Sequence, residues 1–329
     1  MRHTQTLQPR RIGTLLIGAL LALAVAAPIH AEPQPVFDRI VVFGTSLSDP
    51  GNAFAMVGGT DVPPDYSVNP FLVPDRPYVR GGHHFTNGST WIEQFAQQRG
   101  LTGSVNAAYR ASAPGATNYA VGAARAYDDG LNVNLTAQVD AYLIDAGGVA
   151  SENALFVIEM GGNDVRDALV TFAAGGNGSL ILQSAVASVA VNVGRLHAAG
   201  ARQFLIWNAP NVALTPAIRG LDLVSPGAAA LATLLTTGFN AGLSAAVAHL
   251  SLLPAIQISW LDAYGLLNDI VAAPSAFGLA NVTDACITPA IAPFVCQQPN
   301  DFLFWDGIHP TSAAHAIIAR EASSALGLE

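Results

Sequence analysis

Apolar residues occur along this chain in two patterns. Short runs with almost no interruption, Val36–Phe43, Ala154–Met160, Gln203–Trp207 and Ile256–Trp260, are too short for ordinary helices and too uniformly apolar for strands with one wet face. They read as strands buried on both sides. Longer segments between them carry helical spacing. Ser89–Arg99 puts Ile92, Phe95 and Ala96 on one face, and Thr136–Asp145, Gly178–Ala199 (closed by Gly200), Pro226–His249, Ala263–Val271 and Ser312–Leu326 continue the series. Asn118–Val121 reads as one more short strand. Strands alternating with helices predict an α/β fold around a parallel sheet covered on both faces. Functional residues in such sheets gather beyond the carboxyl ends of the strands. Gly58–Gly82, rich in Pro and Gly, reads as a loop bordering a site.

The N-terminus breaks this alternation. Arg2, Arg10 and Arg11 precede an uninterrupted apolar run, Ile12–Ala27, and Pro28-Ile29-His30-Ala31 ends on a small residue. Residues 1–31 are therefore expected to be a cleaved secretory leader, which makes the protein secreted or periplasmic. No further membrane span is expected once the leader is removed. The remaining 32–329 are expected to form a single domain, since no repeat or composition break divides them. Of 329 residues, 51% are hydrophobic and 11% charged, enough apolar material for one large core.

The formal charge is −9, and removing the leader's three arginines takes it to −12. No basic patch stands out, which argues against a nucleic-acid partner. All 14 basic residues are arginine, so a lysine nucleophile, a Schiff base and a Walker-type phosphate loop are excluded. In an oxidising compartment the two cysteines, Cys286 and Cys296, pair by default, two buried thiols being the alternative. His83-His84 is a poor metal pair, because neighbours on an extended segment point to opposite faces. No metal and no cofactor is expected. His197, His249 and His315 read as structural residues, and Trp305 either walls a pocket or packs the core.

Four short stretches remain that could do chemistry. "FGTSLSDPGN" follows the first strand and places Ser46 at the sheet's carboxyl edge. A serine hydroxyl needs a base within hydrogen-bond reach, and that base needs an orienting partner. "FLFWDGIHPT" offers both: Asp306 and His309 lie three residues apart on a turn with Gly307 and Pro310. "NYAVGAARA" puts Gly122 where a backbone N–H can be exposed, and "EMGGNDV" puts Asn163 just past a strand. Both positions suit donors to a developing oxyanion. Each stretch alone is weak; together, each at a strand end or final loop, they point to acyl transfer.

These blocks, in this order, resemble the GDSL esterases and lipases of the SGNH hydrolase superfamily, and "HHFTNGSTWIEQFA" (residues 84–96 with His83) is similar to the segment linking the first two. The resemblance covers about Phe37 to Leu326. It implies a three-layer α/β/α sandwich of flavodoxin-like type with about five parallel strands. It also implies Ser46 as nucleophile, His309 as base and Asp306 as its orienting acid. The implied oxyanion hole is the N–H of Ser46, the N–H of Gly122 and the side-chain amide of Asn163. Gly44-Thr45-Ser46-Leu47-Ser48 lacks the G-x-S-x-G elbow, against an ordinary α/β-hydrolase. One departure stands out: the family usually has Asp before the nucleophile, and here it is Thr45.

The expected function is hydrolysis of carboxylic esters with short acyl groups, through an acyl-enzyme on Ser46. Two alternatives stay open: a lipid-directed lipase or acyltransferase with the same triad, and a non-catalytic binding protein on this scaffold.

Overall fold

A computed structural model describes Met1 and residues 37–66, 71–110, 115–289 and 291–328. The expected leader, 1–31, lies outside the described residues apart from Met1. The apolar runs form β1 (Arg39–Phe43), β2 (Ala154–Ile158), β3 (Gln203–Trp207) and β4 (Gln257–Leu261), paired in parallel in the order β1-β2-β3-β4. The helices are α1 (Asn52–Met56), α2 (Trp91–Gln98), α3 (Leu135–Asp145), α4 (Gly162–Ala173), α5 (Gly178–Ala199), α6 (Pro216–Val224), α7 (Ala228–Leu250), α8 (Ala263–Ala272) and α9 (Ser312–Ala325). A small parallel pair, β5 (Asn281–Ala285) and β6 (Phe302–Phe304), lies near the C-terminus.

The period-two geometry of a strand divides the core into two layers. Val41, Phe43, Phe156, Ile158, Phe204 and Ile206 meet α3, α4, α5 and α7 on one face. Ile40, Val42, Leu155, Val157, Leu205 and Trp207 meet α2 and α9 on the other. This is the expected three-layer α/β/α sandwich. Of the five strands the resemblance implied, four form the regular sheet. The fifth place is held by residues 117–121, which bond to the free edge of β1: Val42 N–H donates to Thr117 O (2.9 Å), Tyr119 N–H to Val42 O (2.8 Å) and Val121 N–H to Gly44 O (3.2 Å). The segment pairs too briefly to form a regular strand, because Asn118 turns its side chain back onto Ser48 O and Ala120 N–H.

Counting that edge segment, the chain order across the sheet reverses at β1. The chain leaves β1, reaches the outer edge through α2, and then returns through α3 to β2 on the far side. Ligands in open α/β sheets bind at such a switch point, beyond the strand's carboxyl end. That end of β1 carries Ser46.

Several elements were not evident in the apolar pattern. α4 begins immediately after β2, where two glycines disguise its start; α6 and the β5–β6 pair are short and mixed in polarity. α5 and α7 are each long and apolar enough, by length and composition, to cross a membrane, and both also bury one face against the sheet. Cys286 and Cys296 are joined as a disulfide that closes the loop between β5 and β6.

Candidate active site

Beyond β1 the chain turns sharply, and buried side chains hold the turn in place. Gln138 of α3 accepts from Gly44 N–H (2.9 Å) and donates to Gly44 O (2.9 Å). Thr45 donates its N–H (2.9 Å) and its hydroxyl (3.0 and 3.1 Å) to the Glu159 carboxylate at the end of β2. Ser48 donates to the same carboxylate (3.1 Å) and accepts from the Trp91 indole (2.9 Å). In place of the aspartate the resemblance implied before the serine stands a threonine bound to a carboxylate at the end of the neighbouring strand. Burial pushes the Glu159 carboxyl up to about 7, although its hydrogen bonds oppose the shift.

The second half of the site is the turn after β6. Asp306 Oδ1 accepts from the N–H of Ile308 (2.9 Å) and of His309 (2.8 Å), so the carboxylate itself shapes the turn. Gly307 lets the residue 71–72 segment pass against this turn: a Cβ there would lie 2.0 Å from Phe71 O, while its N–H donates to Leu72 O (2.9 Å). The turn then enters α9, capped by Thr311.

Ser46 and His309, 263 residues apart, meet here. His309 Nε2 lies 2.8 Å from Ser46 Oγ, and His309 Nδ1 lies 2.7 Å from Asp306 Oδ2. Asp306 is fully buried, His309 is 3% exposed and Ser46 is 9% exposed. A carboxylate only accepts, so Nδ1 carries the proton and Nε2 is left to accept from the serine hydroxyl. Tyr78, from the Gly58–Gly82 loop, donates to Asp306 Oδ2 (2.8 Å) and is in close contact with the Tyr66 hydroxyl. The expectation that this loop borders the site therefore agrees with the structure. Phe85 packs on the His309 ring, centroids 5.3 Å apart.

The two remaining expected donors differ in availability. Asn163, the second residue of α4, donates from Nδ2 to Ala124 O (2.8 Å) and lines the Ser46 pocket. An amide nitrogen carries two hydrogens, so one is left for a ligand. Gly122 departs from expectation: its N–H donates to Asp49 Oδ2 (2.8 Å), a buried carboxylate that also accepts from Gly51, Asn52 and Ala53 N–H. The need for glycine at 122 has a different cause, since a Cβ there would lie 2.2 Å from the Phe85 ring.

The pocket beside Ser46 is small, about 60 Å³, with Leu47, Val212, Ile218 and Ile308 among its apolar walls. Trp305 is not one of those walls; it packs edge-on against Tyr78. His83 and His84 turn to separate partners, Asp61 (2.8 Å) and Glu93 (3.2 Å). His315 is buried behind the site, accepts from Trp91 N–H (3.2 Å), and is pushed down to about 3 by desolvation first and the neighbouring histidines second. Thr45 stood out in the sequence as a departure, but its partner Glu159 did not, nor did Tyr78, Phe85 and Asp49. Of these four only Glu159 left a trace, as a charged residue within an otherwise apolar strand run.

A switch-point serine in an α/β/α sandwich, hydrogen-bonded to a histidine and through it to a buried carboxylate, has the arrangement of a serine-hydrolase triad. Residues 40–322 match the family described as GDSL-like Lipase/Acylhydrolase, and the chain belongs to that family. It is 29% identical to esterase EstA of Pseudomonas aeruginosa over 92% of this chain and 49% of that protein. It is 26% identical to an uncharacterised Pseudomonas putida protein of the trpE-trpG intergenic region, over 96% of this chain and 53% of that one. The chain thus spans about half the length of these two relatives. A GDSL esterase/lipase of Arabidopsis thaliana is 25% identical over 93% of this chain and 90% of its own. A crystal structure of an extracellular lipase from Streptomyces rimosus is 16% identical, with a TM-score of 0.37, over 86% of this chain and 99% of that one.

Proposed function

We propose that the protein is an exported serine esterase that hydrolyses short-acyl carboxylic esters. The observation that carries this reading is the continuous chain Ser46 Oγ–His309 Nε2–Asp306, with links of 2.8 and 2.7 Å. Membership of a family described as lipases and acylhydrolases supports the same chemistry.

In this reading His309 takes the Ser46 proton as the oxygen attacks the ester carbonyl. Asp306 holds the tautomer and stabilises the imidazolium. The tetrahedral oxyanion is received by the Ser46 N–H and the free Asn163 Nδ2 hydrogen. Gly122 is left out, because its N–H is engaged by Asp49. His309 then protonates the leaving alcohol, and water activated by the same histidine releases the acid. The small pocket favours short acyl groups, and the leader at 1–31 directs the chain out of the cytoplasm.

The test is hydrolysis of p-nitrophenyl butyrate by the purified protein beside Ser46→Ala and His309→Ala. Loss of about 10⁴-fold or more in kcat in each variant, with unchanged circular dichroism, is expected. Comparable turnover in both variants would remove the triad.

A further inference from the structure

Arg166 is the one arginine among the residues lining the Ser46 pocket. It lies one turn along α4 from Asn163 and donates Nη1–H to Asn163 Oδ1 (3.0 Å). Among the described residues its guanidinium makes no other hydrogen bond and no ion pair, leaving four of its five N–H groups without a protein acceptor. The acids that could answer it are engaged elsewhere. Asp167 forms a two-point pair with Arg125 (2.8 and 3.1 Å), Asp306 serves His309 and Tyr78, and Glu159 accepts from Thr45 and Ser48.

Partial burial without an ion-pair partner is costly for a guanidinium, and desolvation here lowers the Arg166 pKa. The acid in the pocket, Glu159, points its oxygens at its own donors, Thr45 and Ser48. The rest of the lining is largely apolar. The pocket therefore combines a nucleophile, short apolar walls and one underused planar cation. Such a cation matches the two oxygens of a carboxylate or phosphate.

We propose that Arg166 recognises an oxyanion carried by the substrate, so that the preferred esters are anionic ones such as short dicarboxylic half-esters. This rests on the serine-esterase reading and names its substrate class. The Asn163 contact places the guanidinium one amide group away from the proposed oxyanion donor. The recognised group therefore lies a few bonds from the scissile carbonyl, within a short substrate. A carboxylate on the acyl side and a phosphate on the alcohol side present the same chemistry, and the experiment separates them.

The experiment compares monoethyl succinate with ethyl butyrate for the acyl side, and monobutyryl glycerol 3-phosphate with monobutyryl glycerol for the alcohol side, by acid release. In the wild-type protein kcat/KM for the anionic ester is expected to equal or exceed that of its neutral partner in at least one pair. In Arg166→Gln and Arg166→Met the anionic-to-neutral ratio falls about ten- to a hundredfold, whatever loss both esters share, and Arg166→Lys recovers part of it. Calorimetry of monoethyl succinate and of the glycerophosphate ester on Ser46→Ala, with and without Arg166→Gln, reads the same site without turnover.

An equal loss for charged and neutral esters would overturn the proposal, by confining Arg166 to orienting the Asn163 amide. So would a wild-type preference for the neutral member of both pairs. Failure of the esterase reading looks different: no turnover of any ester, or turnover that survives Ser46→Ala. In that case Arg166-dependent binding upholds the anion site and its absence removes it.

Discussion

Thr45 stands directly before the candidate nucleophile, where the family resemblance led to the expectation of an aspartate. The structure gives it a complete set of partners: its N–H and hydroxyl both bind Glu159, so a carboxylate still braces the serine turn. Thr45→Asp would set a second carboxylate against a buried one, and like charges there are destabilising. The expected outcome is lower turnover and a lower urea midpoint, not a gain; increased kcat would show that threonine impairs the natural site. Glu159 itself makes a pH prediction. Its ordinary value is 4.5 and burial raises it to about 7 in the fold. Between those values the folded chain holds a proton that the unfolded chain has released. The stabilisation is thus fully present below about pH 4.5 and is lost as pH rises through 7, at up to about 1.4 kcal/mol per pH unit. Relative to the wild type, Glu159→Gln should become steadily more stable from pH 5 to 8 in urea unfolding. A constant gap would place the proton elsewhere. His315 acts in the opposite sense: held neutral down to about 3, it costs stability as pH falls below its ordinary 6.5. Tyr78→Phe removes one donor to Asp306 and should lower kcat about three- to tenfold with KM little changed.

At the scale of elements, two loops decide the site. The turn after β6 is shaped by Asp306 and admits the 71–72 segment only because residue 307 has no side chain. Gly307→Ala is expected to cost about 1–3 kcal/mol and to reduce activity more than stability, because the strain falls on the residues next to His309. Urea unfolding and kcat/KM on one sample would separate the two effects. The loop between β5 and β6 is closed by the Cys286–Cys296 disulfide, spanning 10 residues. Cross-linking so short a loop contributes about 3 kcal/mol at most, so Cys286→Ser/Cys296→Ser should fold with a lowered melting temperature and keep the triad's chemistry. β1–β4, α2, α5 and α9 were legible because their apolar spacing is regular, although β1 starts at Arg39 and α2 at Trp91, later than the expected Val36 and Ser89. α4 was not, because Gly161 and Gly162 weaken its first turn; nor were β5, which carries Asn, Thr and Asp, and β6, which is only 3 residues long.

Across the whole molecule, the sheet sets where chemistry happens. Reversal of chain order at β1 opens the crevice in which Ser46 sits, and the turn between β6 and α9 brings His309 to it from the far end of the chain. A larger groove, about 900 Å³, runs between α5 and α7, lined by Leu182, Val186, Phe239 and Leu250, and shares no residue with the Ser46 pocket. The small pocket at Ser46 predicts acyl selectivity. Across p-nitrophenyl acetate, butyrate, octanoate and palmitate, kcat/KM should peak at the short members and fall with length. A series that rises to palmitate would mean that the larger groove, or a moved loop, takes the chain.

Sequence alone determined the layer architecture, the strand-end position of Ser46 and Asn163, and the pairing of Asp306 with His309. These depend on local periodicity and on spacing within a single turn, which a chain writes directly into its residues. Tertiary structure decided the rest. Glu159 became the brace for Thr45, Tyr78 reached Asp306, Asp49 claimed the Gly122 N–H, and Arg166 was left facing the nucleophile's pocket with spare donors. Those contacts join segments between 73 and 228 residues apart or depend on which partners are already taken, and neither is visible in the spacing of a single chain.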